Sequence, residues 1–252
     1  MLSEERQGKI VSLINENKSM TIQMLMKALE ASESTIRRDL GELNEKGLIE
    51  KVYGGAIAKG ITFSGKDETV TTRMEQHREE KLKIAKFAAS IINDDDFVYI
   101  DAGTTTELMI PFITAKKAVF VTNGFSHARK LSEAGFVTYI LGGEIKFPTE
   151  AVVGEEAVLM LFKYHFTKGF WGTNGISQNS GFSTPDVKEA LIKQMSMSRT
   201  HEKYILSDSS KFSQISCVTF AEFSDATVIT TGLDESQSTY RSCNNVVEVT
   251  EQ

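Results

Sequence analysis

Residues 32–55 read SESTIRRDLGELNEKGLIEKVYGG, and the order of polar, apolar and glycine positions in this stretch decides how it folds. Ser32 can cap a helix, because its hydroxyl can accept hydrogen bonds from the free amides of a first helical turn. Apolar residues then recur at helical spacing as far as Gly47, and a glycine is typical of the end of a helix. Residues 48–52 have a strand pattern, and the Gly-Gly pair that follows permits a sharp turn. The stretch therefore predicts a helix followed by a two-stranded wing.

Two further helices are predicted upstream of this stretch. Apolar residues within 10–14 mark the first, and those within 25–29 mark a second, which Thr21 can cap. A tight turn at 30–32 separates the second helix from the third. Three short helices joined in this way, with a wing after them, form a winged helix-turn-helix, in which the last helix enters the major groove of DNA.

The third helix carries two adjacent arginines, Arg37 and Arg38. They lie about 100° apart around the helix axis, so one can reach base edges while the other meets phosphate. A small helical domain with two exposed arginines is the alternative, and net charge does not decide between them, because residues 1–60 contain nine Lys/Arg and nine Asp/Glu. The pattern itself favours DNA binding. The residues predicted to contact DNA are Ser32, Ser34, Thr35, Arg37, Arg38, Lys51, Tyr53, Gly54 and Gly55.

The composition of the whole chain is that of a soluble globular protein. It has 252 residues, 40% hydrophobic and 25% charged, with a net charge of −6. The acidic excess lies in residues 61–252, so only the N-terminal end is expected to meet DNA. Cys217 and Cys243 lack metal-site spacing, no signal peptide is recognisable, and no apolar run reaches the roughly 18 residues of a membrane helix. We expect a cytoplasmic protein with reduced thiols.

The chain divides into three parts. Residues 1–57 form the predicted winged helix-turn-helix, 58–72 are a polar stretch interpreted as a linker, and 73–252 form an effector domain. In the last part a helix over 73–92 is followed by apolar strands that alternate with amphipathic helices. Such alternation predicts an α/β fold with a mostly parallel sheet covered on both faces.

Ligands of open α/β sheets bind beyond the carboxyl ends of the strands, and the loops expected there are polar and glycine-rich. The loop DAGTTT at 101–106 follows a strand and opens a helix, so its glycine, hydroxyls and free amides suit an anion, although it lacks a Walker lysine and GxGxxG spacing. An ordinary strand-helix turn is the alternative. Lys211, in the loop 207–212, can neutralise a phosphate. The residues predicted to bind a sugar phosphate are Asp101, Gly103, Thr104, Thr105, Thr106, Asn123, Glu144, Asn174, Gly175, Thr184, Asp186, Glu189 and Lys211.

Some polar residues, taken by themselves, have a simpler explanation than a functional one. Glu189 and Lys193 are four residues apart, and a surface salt bridge is the simpler interpretation of that pair. The four histidines are scattered, show no metal set or Ser-His-Asp arrangement, and are interpreted as surface residues. No cofactor and no metal are predicted.

These motifs resemble those of the DeoR-type bacterial regulators of sugar metabolism. SESTIRRDLGELNEKGLIEKVYGGAIA is similar to the family signature S-x-x-TIRRDL-x-x-L-x-x-x-G-x-x-x-R-x-HGGA, except that Lys51 and Tyr53 replace the wing Arg and His. The segments DAGTTTEL, VTNG, LGGE, VVGEEA, GTNGIS, GFSTPDVKEA and SDSSKF follow in family order, with Ser209 in place of a His.

The resemblance implies a ribose-phosphate-isomerase/CoA-transferase-like effector domain and a homo-oligomeric repressor, a dimer or tetramer, of a phosphotransferase-system operon. A phosphorylated sugar would release it from operator DNA, and the loops look closest to repressors that respond to fructose 1-phosphate. Repressors of lactose/tagatose or galactitol operons, responding to tagatose 6-phosphate or a related hexose phosphate, are the near alternative. An activator is a further one. An isomerase-like enzyme with a DNA-binding appendage is a remote alternative, because no residue shows the acid/base arrangement that isomerisation needs.

Overall fold

The computed structural model describes residues 3–17, 19–52, 54–58, 63–64 and 70–250. The N-terminal head contains three helices and three short strands. They are α1 (Ser3–Asn17), β1 (Ser19–Thr21), α2 (Ile22–Leu29), α3 (Glu33–Glu45), β2 (Ile49–Val52) and β3 (Gly55–Ala58). The strands form an antiparallel sheet in the order β1-β3-β2. The predicted winged helix-turn-helix is confirmed, and β1 is an addition to it.

The caps predicted for the head are present. Thr21 caps α2 by accepting a hydrogen bond from the Met24 amide at 3.1 Å, and Ser32 caps α3 by accepting from the Thr35 amide at 3.4 Å. Gly47 follows α3 with a φ of +65°, a conformation that a glycine adopts without strain. The apolar faces of the three helices and the sheet form one core. Its fully buried members include Ile10, Ile14, Leu25, Ile36 and Leu40.

The segment after the head differs from its prediction in two ways. Within the predicted linker, β4 (Phe63–Ser64) forms a parallel pair with a strand at 215–216, and α4 (Val70–Glu75) begins before residue 73. The single helix expected over 73–92 is two helices, α4 and α5 (Arg78–Ser90). His77 separates them with a φ of +52°, and its carbonyl accepts the Lys81 amide at 3.0 Å to begin α5. No residue of α4 is buried, so the apolar period that suggested one helix belongs to α5 alone.

The C-terminal domain continues with alternating strands and helices. In chain order they are β5 (Phe97–Ile100), α6 (Thr104–Met109), β6 (Val119–Thr122), α7 (Phe125–Glu133), β7 (Val137–Ile140), β8 (Glu144–Lys146), β9 (Ala151–Val153), α8 (Glu155–Leu161), β10 (Phe166–Gly172), β11 (Gly175–Ser177), β12 (Gly181–Thr184), α9 (Val187–Ser198), β13 (Thr200–Leu206), β14 (Ile215–Ser216), β15 (Val218–Ala221), β16 (Thr227–Thr230), α10 (Ser238–Arg241) and β17 (Val246–Glu248). Single 3-10 turns lie at Ile110–Phe112, Ser209–Lys211, Phe223–Asp225 and Glu235–Gln237.

Seven of these strands form the central sheet, in the order β17-β16-β13-β10-β5-β6-β7. Every pair of neighbours in it is parallel. The predicted α/β fold with a mostly parallel sheet is therefore confirmed. Since all seven strands run the same way, the loops that follow β5, β10 and β13 meet at one edge.

Alternate side chains of the strands pack into two cores on opposite faces of the sheet. Ile100 and Phe120 pack with α5 and α6 on one face, whereas Tyr99 and Trp171 pack with α8 and α9 on the other. Trp171 is fully buried, and its indole Nε1 donates to Ser196 on α9 at 2.9 Å. Together these cores fix α9 and the start of α6 against the carboxyl ends of the strands.

Two small antiparallel units were not predicted. The strands β8 and β9 form a hairpin, and β11, β12 and β15 form a second sheet. The segments GTNGIS and GFSTPD, expected to be loops, thus contain β11 and β12. Strands of three or four residues are too short to show a period in the sequence. Among the described helices, none is long and apolar enough to cross a membrane.

Candidate functional site

The exposed face of α3 carries the residues predicted to read DNA. The Arg37 and Arg38 side chains are more than half exposed, and each lies near a carboxylate one turn away, Glu33 at 2.6 Å and Glu42 at 4.0 Å. Exposed pairs of this kind contribute little to stability, so both guanidinium groups can exchange a carboxylate for a phosphate or a base edge. Ser34 and Thr35 lie beside Ser32 at the start of the helix, where both hydroxyls hydrogen-bond to it.

Asp39, in the same IRRDL run, has a different position. It is fully buried and accepts from the guanidinium of Arg6 on α1 at 2.6 and 3.1 Å. This bidentate pair fixes the angle between α1 and α3, so it sets how α3 is presented. Nothing in the local sequence pattern indicated this contact.

The wing residues have different structural environments. Lys51 is exposed, and its amide donates to the Asn44 side chain at 2.8 Å, which ties β2 to α3. Gly54 makes the wing turn with a φ of +85°. At Gly55 an added Cβ would lie 2.3 Å from the Met20 carbonyl oxygen, so the approach of β3 to β1 requires the glycine. The predicted contact of Tyr53 lies outside the described residues.

A cleft opens at the edge of the sheet where the loops after β5, β10 and β13 meet. Of the residues predicted to bind a sugar phosphate, this cleft brings together Gly103, Thr104, Thr105, Asn174, Glu189 and Lys211. The remainder of its lining is Arg73, Gln76, Lys81, Ala102, Gly172, Thr173, Lys193, Leu206, Ser207 and Asp208. The position of the cleft agrees with the general rule for open α/β sheets.

Three predicted residues lie behind the lining and hold its loops. Asp101 is buried and accepts from the Gly172 amide at 3.3 Å. Thr106 donates to the carbonyl oxygens of Asp101 and Gly103 at 2.7 and 2.8 Å. Asn123 accepts from the Ala102 amide at 2.9 Å. These side chains shape the DAGTTT loop rather than line the cleft.

Four other predicted residues do not line the cleft. Thr184 donates to Asn174 at 3.2 Å and therefore orients a lining residue. Asp186 caps α9 and pairs with Lys146 at 3.2 Å. Gly175 lies in β11, where an added Cβ would be 2.6 Å from the Gln214 carbonyl oxygen. Glu144 is exposed and pairs with Lys188.

The interpretation of Glu189 and Lys193 as a surface salt bridge is wrong. Both side chains are buried, and each has its own partners. Lys193 donates to the Asp101 carboxylate and to the Gly172 carbonyl oxygen, the latter at 3.0 Å. Glu189 accepts from Lys146 at 3.1 Å and from Thr149 at 2.6 Å. Burial raises the pKa of Asp101 above its ordinary value, and the ammonium of Lys193 opposes that rise.

The interpretation of the histidines as surface residues is wrong for His127. This residue is 3% exposed, and its Nε2 lies 3.1 Å from both the Thr106 hydroxyl and the Gly103 carbonyl oxygen. Burial lowers the pKa of His127 to about 4, although the carboxylate of Glu107 favours the charged form. A neutral His127 thus supports the DAGTTT loop at neutral pH.

The cleft is cationic within an acidic domain. Arg73, Lys81, Lys193 and Lys211 line it, against two carboxylates, Glu189 and Asp208. Lys193 pairs with Asp101 and Glu189 pairs with Lys146, whereas Arg73 and Lys211 form no ion pair with a carboxylate of the described residues. Asp208 in turn accepts from the amide and the hydroxyl of Ser210. An anionic ligand is what such a surface favours.

Polar groups without partners lie beside these cations. Within the described part of the chain, no hydrogen bond engages the hydroxyls of Thr104 and Thr105, and none engages the ammonium of Lys211. Since α6 has only six residues, its dipole adds little, and the side chains supply most of the attraction for an anion.

Sequence reasoning missed Arg73, Gln76, Lys81 and Ser207 as lining residues. Lys81 had a detectable signal, because it falls on the apolar stripe of α5 that contains Ile84, Ala85, Ala88 and Ala89. A lysine on a buried stripe has to find a polar environment, and here the cleft provides it. Arg73 had no such signal, because the chain breaks at His77 and the apolar period of α5 does not place residues of α4.

Comparison with known proteins agrees with both halves of this description. Residues 6–61 match the DeoR-like helix-turn-helix domain, and residues 76–232 match the DeoR C-terminal sensor domain. The chain belongs to the DeoR family. The second match covers more than half of the sequence, and the protein is accordingly a DeoR-type sugar-operon repressor and not an enzyme.

Named relatives span almost the full length of this DeoR-family chain. An uncharacterized HTH-type transcriptional regulator of Bacillus subtilis named FruR is 42% identical over 93% of either chain. The lactose phosphotransferase system repressor of Staphylococcus aureus is 33% identical over 91% of this chain and 92% of its own. Among solved structures, ribose 5-phosphate isomerase A of Methanocaldococcus jannaschii matches 54% of this chain and 55% of its own, with a TM-score of 0.41 and 14% identity. A likeness of that size carries no argument about activity.

Proposed function

We propose that this DeoR-type repressor controls a sugar-utilisation operon of the phosphotransferase system and leaves its operator when fructose 1-phosphate binds in the sensor cleft. The observation that carries the proposal is the cationic cleft at the carboxyl edge of the sheet, in a chain whose other domain is a DNA-binding head. The name of the Bacillus subtilis relative, FruR, supports the choice of a fructose phosphate.

The phosphate is proposed to lie between Lys211 and the hydroxyls of Thr104 and Thr105. A lysine ammonium and two hydroxyls with no other partner can satisfy a phosphate by charge-assisted and neutral hydrogen bonds. The sugar hydroxyls would then meet Asn174, whose side-chain amide can donate, and the carboxylate of Asp208, which accepts. The other predicted residues, including Asp101, Thr106 and Asn123, act by holding these groups in place.

On the DNA side, α3 is proposed to enter the major groove, with Arg37 and Arg38 making base and phosphate contacts. A single head reads one half-site, so the protein is proposed to act as a homodimer or tetramer whose heads meet half-sites about one DNA turn apart. It would act in the cytoplasm, where the operator is. The head is proposed to end at the wing, near residue 57, and to be joined to the effector domain through the segment 58–72.

Release from the operator requires a difference in affinity between two states. The sugar phosphate must bind the DNA-free arrangement of the protein more tightly than the DNA-bound one, because equal affinity shifts nothing. A tenfold preference corresponds to about 1.4 kcal/mol of coupling between the cleft and the head.

Tagatose 6-phosphate is the second candidate effector. The named Staphylococcus aureus relative is a lactose phosphotransferase system repressor, and it is less similar to this chain than the FruR relative is. The same cationic cleft suits either hexose phosphate, since both present one phosphate and several hydroxyls. The two effectors are therefore separated by titration rather than by the charge of the site.

The test is binding of the full-length protein to DNA from upstream of its own gene, at fixed salt, titrated with fructose 1-phosphate, tagatose 6-phosphate and unphosphorylated fructose. We expect one hexose phosphate to release the DNA and fructose to have no effect. Lys211→Ala should weaken that response about ten- to hundredfold, the cost of a hydrogen bond to a charged group. Lys163→Ala, an exposed lysine outside the cleft lining, is the matched control. Specific DNA binding that no sugar phosphate alters would contradict the proposed effector.

A further inference from the structure

The segment between head and sensor domain is bound to the walls of the cleft. The strand β4 pairs with β14, which begins four residues after Lys211. Farther along, the amide of Val70 donates to the carbonyl oxygen of Pro148 at 3.2 Å, and α4 packs against α6. Both attachments lie next to elements that line the cleft. Binding of a ligand in the cleft can therefore change the position of the segment that connects the sensor domain to the head.

Arg73, on α4, belongs to that segment, and its guanidinium lacks a hydrogen-bond acceptor among the described residues. It lines the cleft beside Thr104, and its Nε is buried with no hydrogen-bond partner among the described residues. Burying a donor without a hydrogen bond costs more free energy when the donor belongs to a charged group than when it belongs to a neutral one. A buried guanidinium N–H is therefore usually found with an acceptor. Within the described residues no carboxylate forms an ion pair with Arg73.

Four carboxylates line a space together with Arg73, and none of them forms an ion pair with it among the described residues: Glu107, Glu150, Glu189 and Asp208. Glu107 shares a narrow gap with Arg73, but it is paired with Lys130 at 2.6 Å and accepts from Ser126 at 2.7 Å. Glu189, which also lines the cleft, is held by Lys146 and Thr149. The Arg73 guanidinium is therefore left without an acceptor among the described residues, and a ligand in the cleft can supply one.

Lys81 connects this arginine to the rest of the cleft. Its ammonium donates to the Arg73 carbonyl oxygen, while its own side chain is buried and lines the same cleft. No residue of α4 is buried, and its attachments to the sensor domain include this contact and the hydrogen bond of the Val70 amide. A ligand that accepts from Arg73 would add an attachment of α4 to the sensor domain.

We propose that Arg73 is a contact for the bound anion, supplied by the head-proximal segment, and that the ligand fixes α4 on the sensor domain through it. The planar guanidinium suits two oxygens of one phosphate. The proposal rests on the proposed function for the class of ligand, an anionic sugar, and adds both a binding residue and a route from the cleft to the head. The coupling is reciprocal, since a contact made only in one state of α4 biases both ligand and DNA binding.

The experiment compares Arg73→Gln with Arg78→Gln in the full-length protein. Arg78 is exposed at the start of α5 and does not line the cleft, so it is a matched control for loss of one arginine. Binding of fructose 1-phosphate, tagatose 6-phosphate and inorganic phosphate is measured by calorimetry. In parallel, hydrogen exchange of the α4 amides is measured with and without the tightest of these probes.

We expect Arg73→Gln to weaken binding of the probe at least about tenfold, as removal of a charge-assisted hydrogen bond does, and Arg78→Gln to leave it unchanged. In the wild type the probe should slow exchange of the α4 amides, and in Arg73→Gln it should not do so even at saturation. Arg73→Lys, which keeps the charge but not the fork, should fall between the two.

Affinity of Arg73→Gln within about threefold of the wild type overturns the inference while the proposed function stands. Binding of inorganic phosphate that depends on Arg73, with no response to a hexose phosphate, leaves the inference standing and removes the proposed effector. No binding of any probe by the wild type overturns both. If Arg73→Gln does not fold, Arg73→Lys takes its place. The inference is then overturned if Arg73→Lys binds the probe as tightly as the wild type, or if the probe leaves hydrogen exchange of the wild-type α4 amides unchanged.

Discussion

Removal of the Lys193 ammonium is expected to destabilise the sensor domain severely. The side chains of Lys193 and Asp101 are 6% and 2% exposed, and they form an ion pair between α9 and the end of β5. Lys193→Met fills a similar volume but leaves the Asp101 carboxylate buried without a countercharge. Breaking a buried pair in this way costs about 3–5 kcal/mol. For a domain of this size that cost corresponds to a fall in Tm of about 6–20 °C.

The assay is denaturant unfolding of the full-length protein followed by tryptophan fluorescence. The chain has a single tryptophan, Trp171, which is buried in the sensor domain and hydrogen-bonded to Ser196 on α9. Its fluorescence therefore reports unfolding of that domain and not of the head. Lys188→Met is the control on the same helix, because Lys188 makes only an exposed pair with Glu144, whose loss should cost about 1 kcal/mol or less.

The effect should depend on pH in a defined direction. Burial already raises the pKa of Asp101, and loss of Lys193 raises it further. The folded Lys193→Met protein then binds a proton that the unfolded chain releases, so its stability falls as pH rises from the unfolded pKa of Asp101 through its raised folded pKa. The deficit against the wild type is expected to be smaller at pH 5 than at pH 8. A loss below about 1 kcal/mol at pH 8, no larger than that of the exposed control pair, would refute the reasoning.

Two further predictions concern the head and the DAGTTT loop. Arg37→Ala should weaken operator binding by about 1–3 kcal/mol at fixed salt, whereas Arg129→Ala, which removes a similar exposed pair on α7, should not change it; equal binding by both variants in a fluorescence-anisotropy titration would remove Arg37 from the interface. His127 has a folded pKa of about 4, so the unfolded chain takes up its proton first and the wild type should lose about 2 kcal/mol of stability between pH 8 and pH 5 from this residue. His127→Gln should lack that part of the pH dependence, and identical pH profiles for the two proteins would contradict a buried neutral histidine.

The sequence predicted those parts of the fold that have a local signal. The cap at Ser32, the glycine after α3 and the alternation of strands and helices are each read within a few residues, and the structure has all of them. The short strands β8, β9, β11 and β12 were not predicted. Their stability comes from pairing with one another and not from a period of their own.

The cleft was predicted in part, for a related reason. The rule that ligands meet the carboxyl ends of parallel strands located the loops that contain Thr104, Asn174 and Lys211. Contacts between residues far apart in sequence had no such signal. Lys193 was assigned to Glu189, four residues away, whereas its partner Asp101 is 92 residues away. His127 was taken for a surface residue because its burial depends on the packing of α7 against the DAGTTT loop.

Pairing of β4 with β14 determines where regulators of this architecture can be recombined. A hybrid protein joined at residue 72 would take β4 from the parent that supplies the head and β14 from the parent that supplies the sensor domain. Its Val70 amide and its Pro148 carbonyl would also come from different parents. A crossover between Ala58, where the wing ends, and Phe63 keeps these contacts within one parent. The exchangeable sensor module then begins before residue 73, and it includes β4 and α4, the segments that attach to the elements around the cleft.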